Sequence, residues 1–423
     1  MIYDITKRPT MKIFKEYITE QKNTHMTHIE DLVLDGGVRG ARDAINALRS
    51  LRDMLAGNAK TSHDVTVKWD GAPAVFAGID PTDGKFFVAK KGIFNKNPMV
   101  YKTPQDIDDD IGNPDLNIKM QISLEELSKL GIRGVVQGDI MFTDGDIKSE
   151  NIDGSKYITF HPNTIMYAVP EESKLAKTIM KARIGIVWHT TYNGSTFEDM
   201  SADYGVDVTK FKKVSSVWSQ DAAIRDLSGT ATMTSNETKE VTRNLSIAGR
   251  IFRKIASNTL RDLENMKELN QMVNTFNNTY VRRGERIRDT GRHVQALQMY
   301  IEDKYDSKID GLKSEKGKDN WRTKKAETMK FFSRNSIASI KAVFDLQSAI
   351  VDAKMVIIDK LNTIQNIDTF VKTKNGFKVT GSEGFVSIDR FAGTAVKLVD
   401  RLEFSTNNFS PDVIKGWESS SRS

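Results

Sequence analysis

Apolar residues recur at near-helical spacing between Thr27 and Ala56, at Ile29, Leu32, Leu34, Ala41, Ile45, Leu48 and Leu51. Residues 1–60 are therefore expected to be helical. Gly36, Gly37 and Gly40 interrupt the pattern and predict a turn between two helices. Such a turn can also hold a phosphate on the free N–H groups of the helix it opens. From Asp64 the period changes. DVTVKW, FFVAKKG, GVVQGDIMF, KYITFHP, TIMYAVP and RIGIVWHTTY are short and rich in β-branched and aromatic residues, with Gly, Pro, Asn and Asp between them. These are strands, with a helix expected at 125–130. From about Asn236 to Asp368 the strand signal gives way to long helical stretches with few Gly or Pro. After Val371 strands return as GFKVTG, EGFVSI and AVKLVDRLEF.

The expected class is α+β, in four segments: an N-terminal helical region at 1–60, a β-rich core at 61–235, a helical insertion at 236–375, and completion of the core at 376–423. At 423 residues the chain is long enough for two or three packed units. It has no cysteine, which excludes disulfides, cysteine nucleophiles and thiolate metal sites and fits a reducing cytoplasm. No apolar run is long enough for a bilayer, and the first residues lack the apolar stretch of a secretory leader. The formal charge of +6 is compatible with a polyanionic partner. The basic stretch within the insertion, with Arg282, Arg283, Arg286, Lys324 and Lys325, is the candidate contact for nucleic-acid phosphates. His25 and His28, with Glu30 and Asp31, have a spacing that metal sites use. With no further His or Cys nearby, a helix start is the better reading.

The candidate chemistry centres on Lys68-Trp69-Asp70-Gly71. A strand delivers a lysine to its end and Asp-Gly turns the chain, presenting an amine at the rim of a pocket. Other short patterns follow in order: Lys90-Lys91-Gly92 after a strand, Gln137-Gly138-Asp139 within one, Trp188-His189 near the end of another, then Glu383-Gly384 and Lys397. In this order they resemble the motifs of the covalent nucleotidyltransferase superfamily, which includes ATP-dependent DNA ligases, RNA ligases and capping enzymes. The resemblance covers roughly 61–200 and 376–405.

It implies an antiparallel-sheet nucleotidyltransferase (ATP-grasp-like ligase) core with an inserted all-helical domain. It also implies an ATP-dependent polynucleotide ligase working through lysyl-AMP. Lys68 would be the nucleophile. Asp70, Glu383 and Lys397 would complete the catalytic set. Gly71, Lys90, Lys91, Asp139 and Trp188 would line the nucleotide, and Glu383 and Asp139 would hold Mg²⁺. An amine with an ordinary pKa near 10.4 becomes nucleophilic when burial and neighbouring cations lower that value, which is what Lys90, Lys91 and Lys397 would supply. Asp139 stands where the family usually has glutamate, and Lys397 is single where the family often has two lysines. The barrel domain typical of DNA ligases has no counterpart after Lys397, which favours RNA over DNA ends as substrate. The compact form resembles bacteriophage-encoded ligases, which would place the protein in the host cytoplasm. The alternatives are transfer to another acceptor, as in capping or protein modification, and a non-catalytic nucleic-acid-binding phage protein on a ligase-like core.

Overall fold

The computed structural model describes residues 26–57, 63–95, 97–223, 233–363, 367–389 and 394–419. Among the described residues, ten strands precede the helical block: β1 (His63–Lys68), β2 (Ala74–Ile79), β3 (Phe86–Ala89), β4 (Val135–Thr143), β5 (Lys148–Ile152), β6 (Ser155–Phe160), β7 (Met166–Pro170), β8 (Ile184–Asn193), β9 (Ser201–Tyr204) and β10 (Val217–Asp221). Four follow it: β11 (Asp368–Thr373), β12 (Gly376–Val379), β13 (Gly384–Asp389) and β14 (Thr394–Leu398). They form three sheets, ordered β1-β13-β14, β10-β8-β4-β2-β3 with β9 beside β8, and β12-β11-β7-β6-β5. The pairs are antiparallel except β10 with β8, which run parallel.

The main helices before the block are α1 (Leu32–Asp35), α2 (Gly37–Leu55), α3 (Pro104–Asp110), α4 (Pro114–Leu127) and α5 (Lys174–Ile179). The block contains α6 (Ser235–Phe252), α7 (Ser257–Asn265), α8 (Lys267–Arg282), α9 (Thr290–Asp310), α10 (Glu315–Arg334) and α11 (Ile337–Asn362); α12 (Arg401–Phe409) and α13 (Gly416–Ser419) close the chain. None of the described helices is long and apolar enough to cross a membrane.

Two boundaries differ from the sequence expectation. The helical block ends at Asn362 and β11 already belongs to a sheet, so the expected boundary at 375 falls after β11. The N-terminal helices are not a separate unit either. Ala41, Ala44, Leu48 and Leu51 of α2 share one apolar core with Val241 and Leu245 of α6 and Ile350 and Ile357 of α11. An amphipathic helix has to cover its apolar stripe, and here the stripe of α2 is covered by the distant block. Gly36 and Gly37 do form the expected turn, but Glu264 fills the space over Gly37, which leaves the glycines a packing role rather than a phosphate seat.

The helical layer also positions the first sheet. Val65, Phe385 and Leu398 belong to the helical core. Side chains alternate across a strand, so Thr66 and Lys68 of β1, Val386 of β13 and Lys397 of β14 share the opposite face. That face looks onto the second sheet, whose far side is covered by α3 and α4 through Ile107, Met120 and Leu127.

Candidate active site

The pairing of β1 with β13 brings the two ends of the chain together. Lys68 is in register with Gly384, and Lys68 Nζ forms an ion pair with Glu383 Oε2. The Lys68 side chain is 28% exposed and that of Glu383 11%, so this is a pocket amine and not a solvated surface lysine. Gly384 lets the end of β14 pack closely on the other side of β13. Its φ is +148°, and a Cβ there would stand 2.6 Å from Val399 Cγ2 and 2.7 Å from the Leu398 carbonyl oxygen.

The turn after Lys68 is fixed from below. Asp70 is buried. Its Oδ1 accepts from Asn163 Nδ2 at 2.7 Å, and its Oδ2 accepts from the backbone N–H groups of Thr164 at 2.7 Å and Ile165 at 2.8 Å. Its own N–H donates to Tyr167 Oη at 2.7 Å. Burial pushes the Asp70 carboxyl above its usual range, against the pull of those hydrogen bonds and of Lys68. Both its oxygens are engaged by the 163–165 loop, so it anchors the turn that presents Lys68. Gly71 is required because a Cβ would meet Asp139 Cβ at 2.6 Å and Met141 Sδ at 2.9 Å.

A cavity of about 130 Å³ opens between the first and second sheets, lined by Thr66, Lys68, Trp69, Asp139, His189 and Thr190, with Val386 and Ile388 on the β13 side. Lys397 lies close enough to feel this cluster: burial and then the Lys68 ammonium hold it below the ordinary lysine value, and Glu383 opposes them. Burial pushes Glu383 up, with Asp70 and Asp139 adding to the rise and Lys68 opposing it. Charge is thus concentrated and incompletely compensated, a common property of reactive sites. Trp69 contributes an indole N–H that is buried without a protein acceptor.

Asp139, Gly71, Glu383 and Lys397 therefore gather around Lys68 as expected. Trp188 does not. It is fully buried, donates its indole N–H to Ser219 Oγ at 2.9 Å, and packs edge-on against Phe211 in the core beneath α4. The residue that reaches the cavity is its neighbour His189, because side chains alternate along β8: Ile184, Ile186 and Trp188 face the core beneath α4, and Val187 and His189 face the cavity. A β-bulge then adds Thr190 to the same side. Gln137 pairs with Thr190 and Gly138 with Trp188, leaving His189 without a partner on β4. A bulge re-aims the side chains around it, and both His189 and Thr190 face the cavity. His189 Nε2 lies 3.7 Å from Asp139 Oδ2.

Lys90 and Lys91 are also elsewhere. They follow β3 at the edge of the second sheet, where Lys90 Nζ pairs with Asp110 at 2.8 Å and Lys91 is exposed. Of the three expected cations, only Lys397 is delivered. The basic residues of the helical block fall into two groups. Arg282, Arg283 and Arg286 sit at the end of α8 and just beyond it; Arg283 pairs with Glu285 at 3.1 Å and Arg286 with Asp352 at 3.6 Å. Lys324 and Lys325 lie on α10, over the Trp321 ring at 4.6 Å and against Asp306 at 2.7 Å respectively.

His28 is joined by backbone bridging to Lys397 and is held neutral, its pKa lowered to about 3 by burial first and then by Arg401. His25 lies outside the described residues. No group of three or more His, Asp or Glu able to hold a metal by itself occurs among the described residues.

The fold and site together define an α+β protein with a lysine–carboxylate centre between two sheets. A family of unknown function, DUF6267, matches residues 23–412, and the chain belongs to that family. No curated protein and no solved structure matches it.

Proposed function

We propose that the protein is a lysine-dependent nucleotidyltransferase of the polynucleotide-ligase type, using ATP and joining 5′-phosphate to 3′-hydroxyl ends, with RNA favoured over DNA. The observation that carries the reading is that Lys68 and Asp139 line one cavity, while Glu383 pairs with Lys68 Nζ and Lys397 lies near enough to feel both Lys68 and Glu383. These are four of the residues that the motif resemblance requires, and the fold brings them together from both ends of the chain.

In the first step the unprotonated Lys68 amine attacks the α-phosphorus of ATP. A P–N bond forms, the bond to the β-phosphate oxygen breaks, and pyrophosphate leaves. Glu383, already in contact with Nζ and made more basic by burial, is placed to take the proton from Lys68. Lys397 offsets negative charge developing on the phosphate. An oxygen of the polynucleotide 5′-phosphate then attacks the adenylate phosphorus and releases Lys68. In the last step the 3′-hydroxyl attacks the activated 5′-phosphate and AMP leaves. Mg²⁺, when bound, would neutralise phosphate charge. It suits the donor set, because this ion commonly takes one or two carboxylates with phosphate oxygens and water, and Glu383 and Asp139 would supply those carboxylates. Trp69 N–H and His189 offer hydrogen bonds to the nucleotide. The cavity of about 130 Å³ is smaller than the roughly 300 Å³ of ordinary small-molecule pockets, so nucleotide binding has to widen it. The two arginine and lysine groups of the helical block are the proposed phosphate contacts for the strand.

The test is incubation with Mg²⁺ and α-³²P-labelled ATP or GTP, followed by denaturing electrophoresis. The wild type should carry an acid-labile, alkali-stable label, and Lys68→Ala none. Absence of label with both nucleotides, after pyrophosphate treatment to strip any AMP already bound, would remove the reading.

A further inference from the structure

On the helical side of the first sheet, α2 and α6 lie next to each other and antiparallel. Arg52 Nη1 donates to Thr242 Oγ1 at 3.1 Å, and the Met233 N–H donates to the Leu55 carbonyl oxygen at 2.9 Å. Both helices turn their apolar stripes into one core, with Ala41, Ala44 and Leu48 on α2 and Val241, Leu245 and Ala248 on α6. Counting helical turns from the Arg52–Thr242 contact puts Arg42 and Arg49 on the exposed sector of α2 beside the seam. The same count puts Arg243, Arg250 and Arg253 on the exposed sector of α6. Because the helices are antiparallel, the two sectors open to the same side, and all five arginines are exposed. No residue of α2 or α6 lines the Lys68 cavity. We propose that this arginine face binds the phosphodiester backbone of nucleic acid, without regard to base sequence.

The charge on the face is largely uncompensated. Arg42, Arg250 and Arg253 form no ion pair among the described residues, and the Arg49 side chain donates only to Asn46 Oδ1, at 3.0 Å. The carboxylates alongside are already engaged: Asp43 lies 3.6 Å from Arg39, Asp53 2.6 Å from Arg52 and Glu240 4.0 Å from Arg243. Glu237 caps α6 through the Thr234 N–H and pairs with Lys360 at 3.3 Å. Unpaired guanidinium groups on one face attract anions, and their fork geometry matches phosphate oxygens. The floor between them is low: Ser246 is small, and the space over Gly249 is open. The row from Arg42 to Arg52 spans about 15 Å at 1.5 Å per residue, room for about four successive phosphates of one strand.

The chemistry of the face selects among polyanions. An anionic bilayer is bound by cations together with apolar side chains that enter it, and a protein partner needs an apolar centre to its interface. None of the large hydrophobic side chains exposed among the described residues lies on α2 or α6. A nucleic-acid backbone requires neither, since it is held by arginine and lysine at the phosphates. The face extends the polynucleotide reading to a surface contributed in part by the N-terminal helices. It does not rest on adenylylation at Lys68, and it stands if that reading fails.

The test is fluorescence anisotropy on the full chain without ATP. The probes are a fluorescein-labelled RNA duplex of about 20 base pairs, a second duplex of unrelated sequence, and one strand alone, each followed across a salt series. Two double variants at exposed positions, Arg42→Ala with Arg253→Ala and Arg49→Ala with Arg250→Ala, should each weaken both duplexes equally, by about tenfold, and lower the slope of log affinity against log salt by about 2. Lys374→Ala with Lys378→Ala removes two exposed charges from the β11–β12 edge of the third sheet and should change neither. A loss confined to the duplexes makes a double helix the occupant, and a loss with the strand alone makes it a single strand; both support the face. Unchanged affinity and slope in both double variants would overturn the proposal, and so would an equal loss in the third-sheet control. Binding of the parent to phosphatidylserine vesicles but to none of the RNAs would overturn it as well. All these variants keep Lys68 and its neighbours, so a failed labelling assay and failed RNA binding are read independently.

Discussion

Trp188 and His189 are neighbours on β8, but they answer to different forces. Trp188 is surrounded by side chains and its indole N–H is satisfied. Replacing it with alanine should cost about 3–5 kcal/mol of folding stability, the usual range for a large core aromatic. His189 is partly exposed at the cavity and contacts Thr190 and Asp139. His189→Ala should leave the urea midpoint nearly unchanged and weaken nucleotide binding. Urea unfolding and equilibrium binding of a non-hydrolysable ATP analogue, run on both variants, separate the roles; a stability loss at His189 as large as at Trp188 would count against this assignment. Asp70 gives a complementary case. Asp70→Ala would leave the Asn163, Thr164 and Ile165 donors without their acceptor. At about 1–3 kcal/mol per buried unsatisfied donor, with relaxation and water recovering part of the sum, we expect a loss of at least about 3 kcal/mol in chemical denaturation. A conserved midpoint with lost activity would instead make Asp70 catalytic.

At the level of elements, the parts of the site legible in the sequence were those set by local backbone chemistry. Lys68 at the end of a strand, with Asp-Gly turning the chain after Trp69, could be read from the local pattern, Glu383-Gly384 came from the motif resemblance, and the β1–β13 pairing brings the two together. Lys397 was named from the motif resemblance, and alternation on β14 puts it on the face opposite Leu398. What failed depended on long-range arrangement. Trp188 falls on the core face with Ile184 and Ile186, and which face of β8 meets a cavity is decided by the sheet packed against it; the bulge that adds Thr190 beside His189 has no local signature. Lys90 and Lys91 follow a strand at the edge of its sheet, beyond β2 and away from β1, a position that the order of strands in the sequence does not give. Trp69 was legible only as a spacer, although its ring packs 5.1 Å from Tyr167 and its N–H lies buried at the cavity. The N-terminal helices could be recognised by their periodicity, but periodicity does not say which distant helix covers the apolar stripe.

For the whole molecule, the union of α1 and α2 with the helical block has a consequence for stability in acid. It buries His28 beside Lys397 and Arg401, and the block itself buries His293; the third sheet region buries His161. Burial is the leading cause in each case, and their pKa values fall to about 3, about 4 and about 4 respectively. The unfolded chain takes up these protons below about pH 6.5, while the folded chain resists them until near pH 4. Their contribution to stability is therefore complete above pH 6.5 and is lost as pH falls toward 4. Each histidine adds a slope of up to about 1.36 kcal/mol per pH unit. Asp31, raised to about 6 mainly by burial, acts in the opposite direction below that pH and offsets part of the loss. His293 is the cleanest probe, because burial is the sole cause of its shift and its Nε2 has a neutral partner, Asn277, at 2.9 Å. Urea unfolding of wild type and His293→Phe at pH 7, 5.5 and 4.5 should show a shallower fall in the variant, whatever its stability at pH 7. Equal slopes would mean that His293 takes up its proton in the folded state, with the helical layer open enough to admit water between α8 and α9.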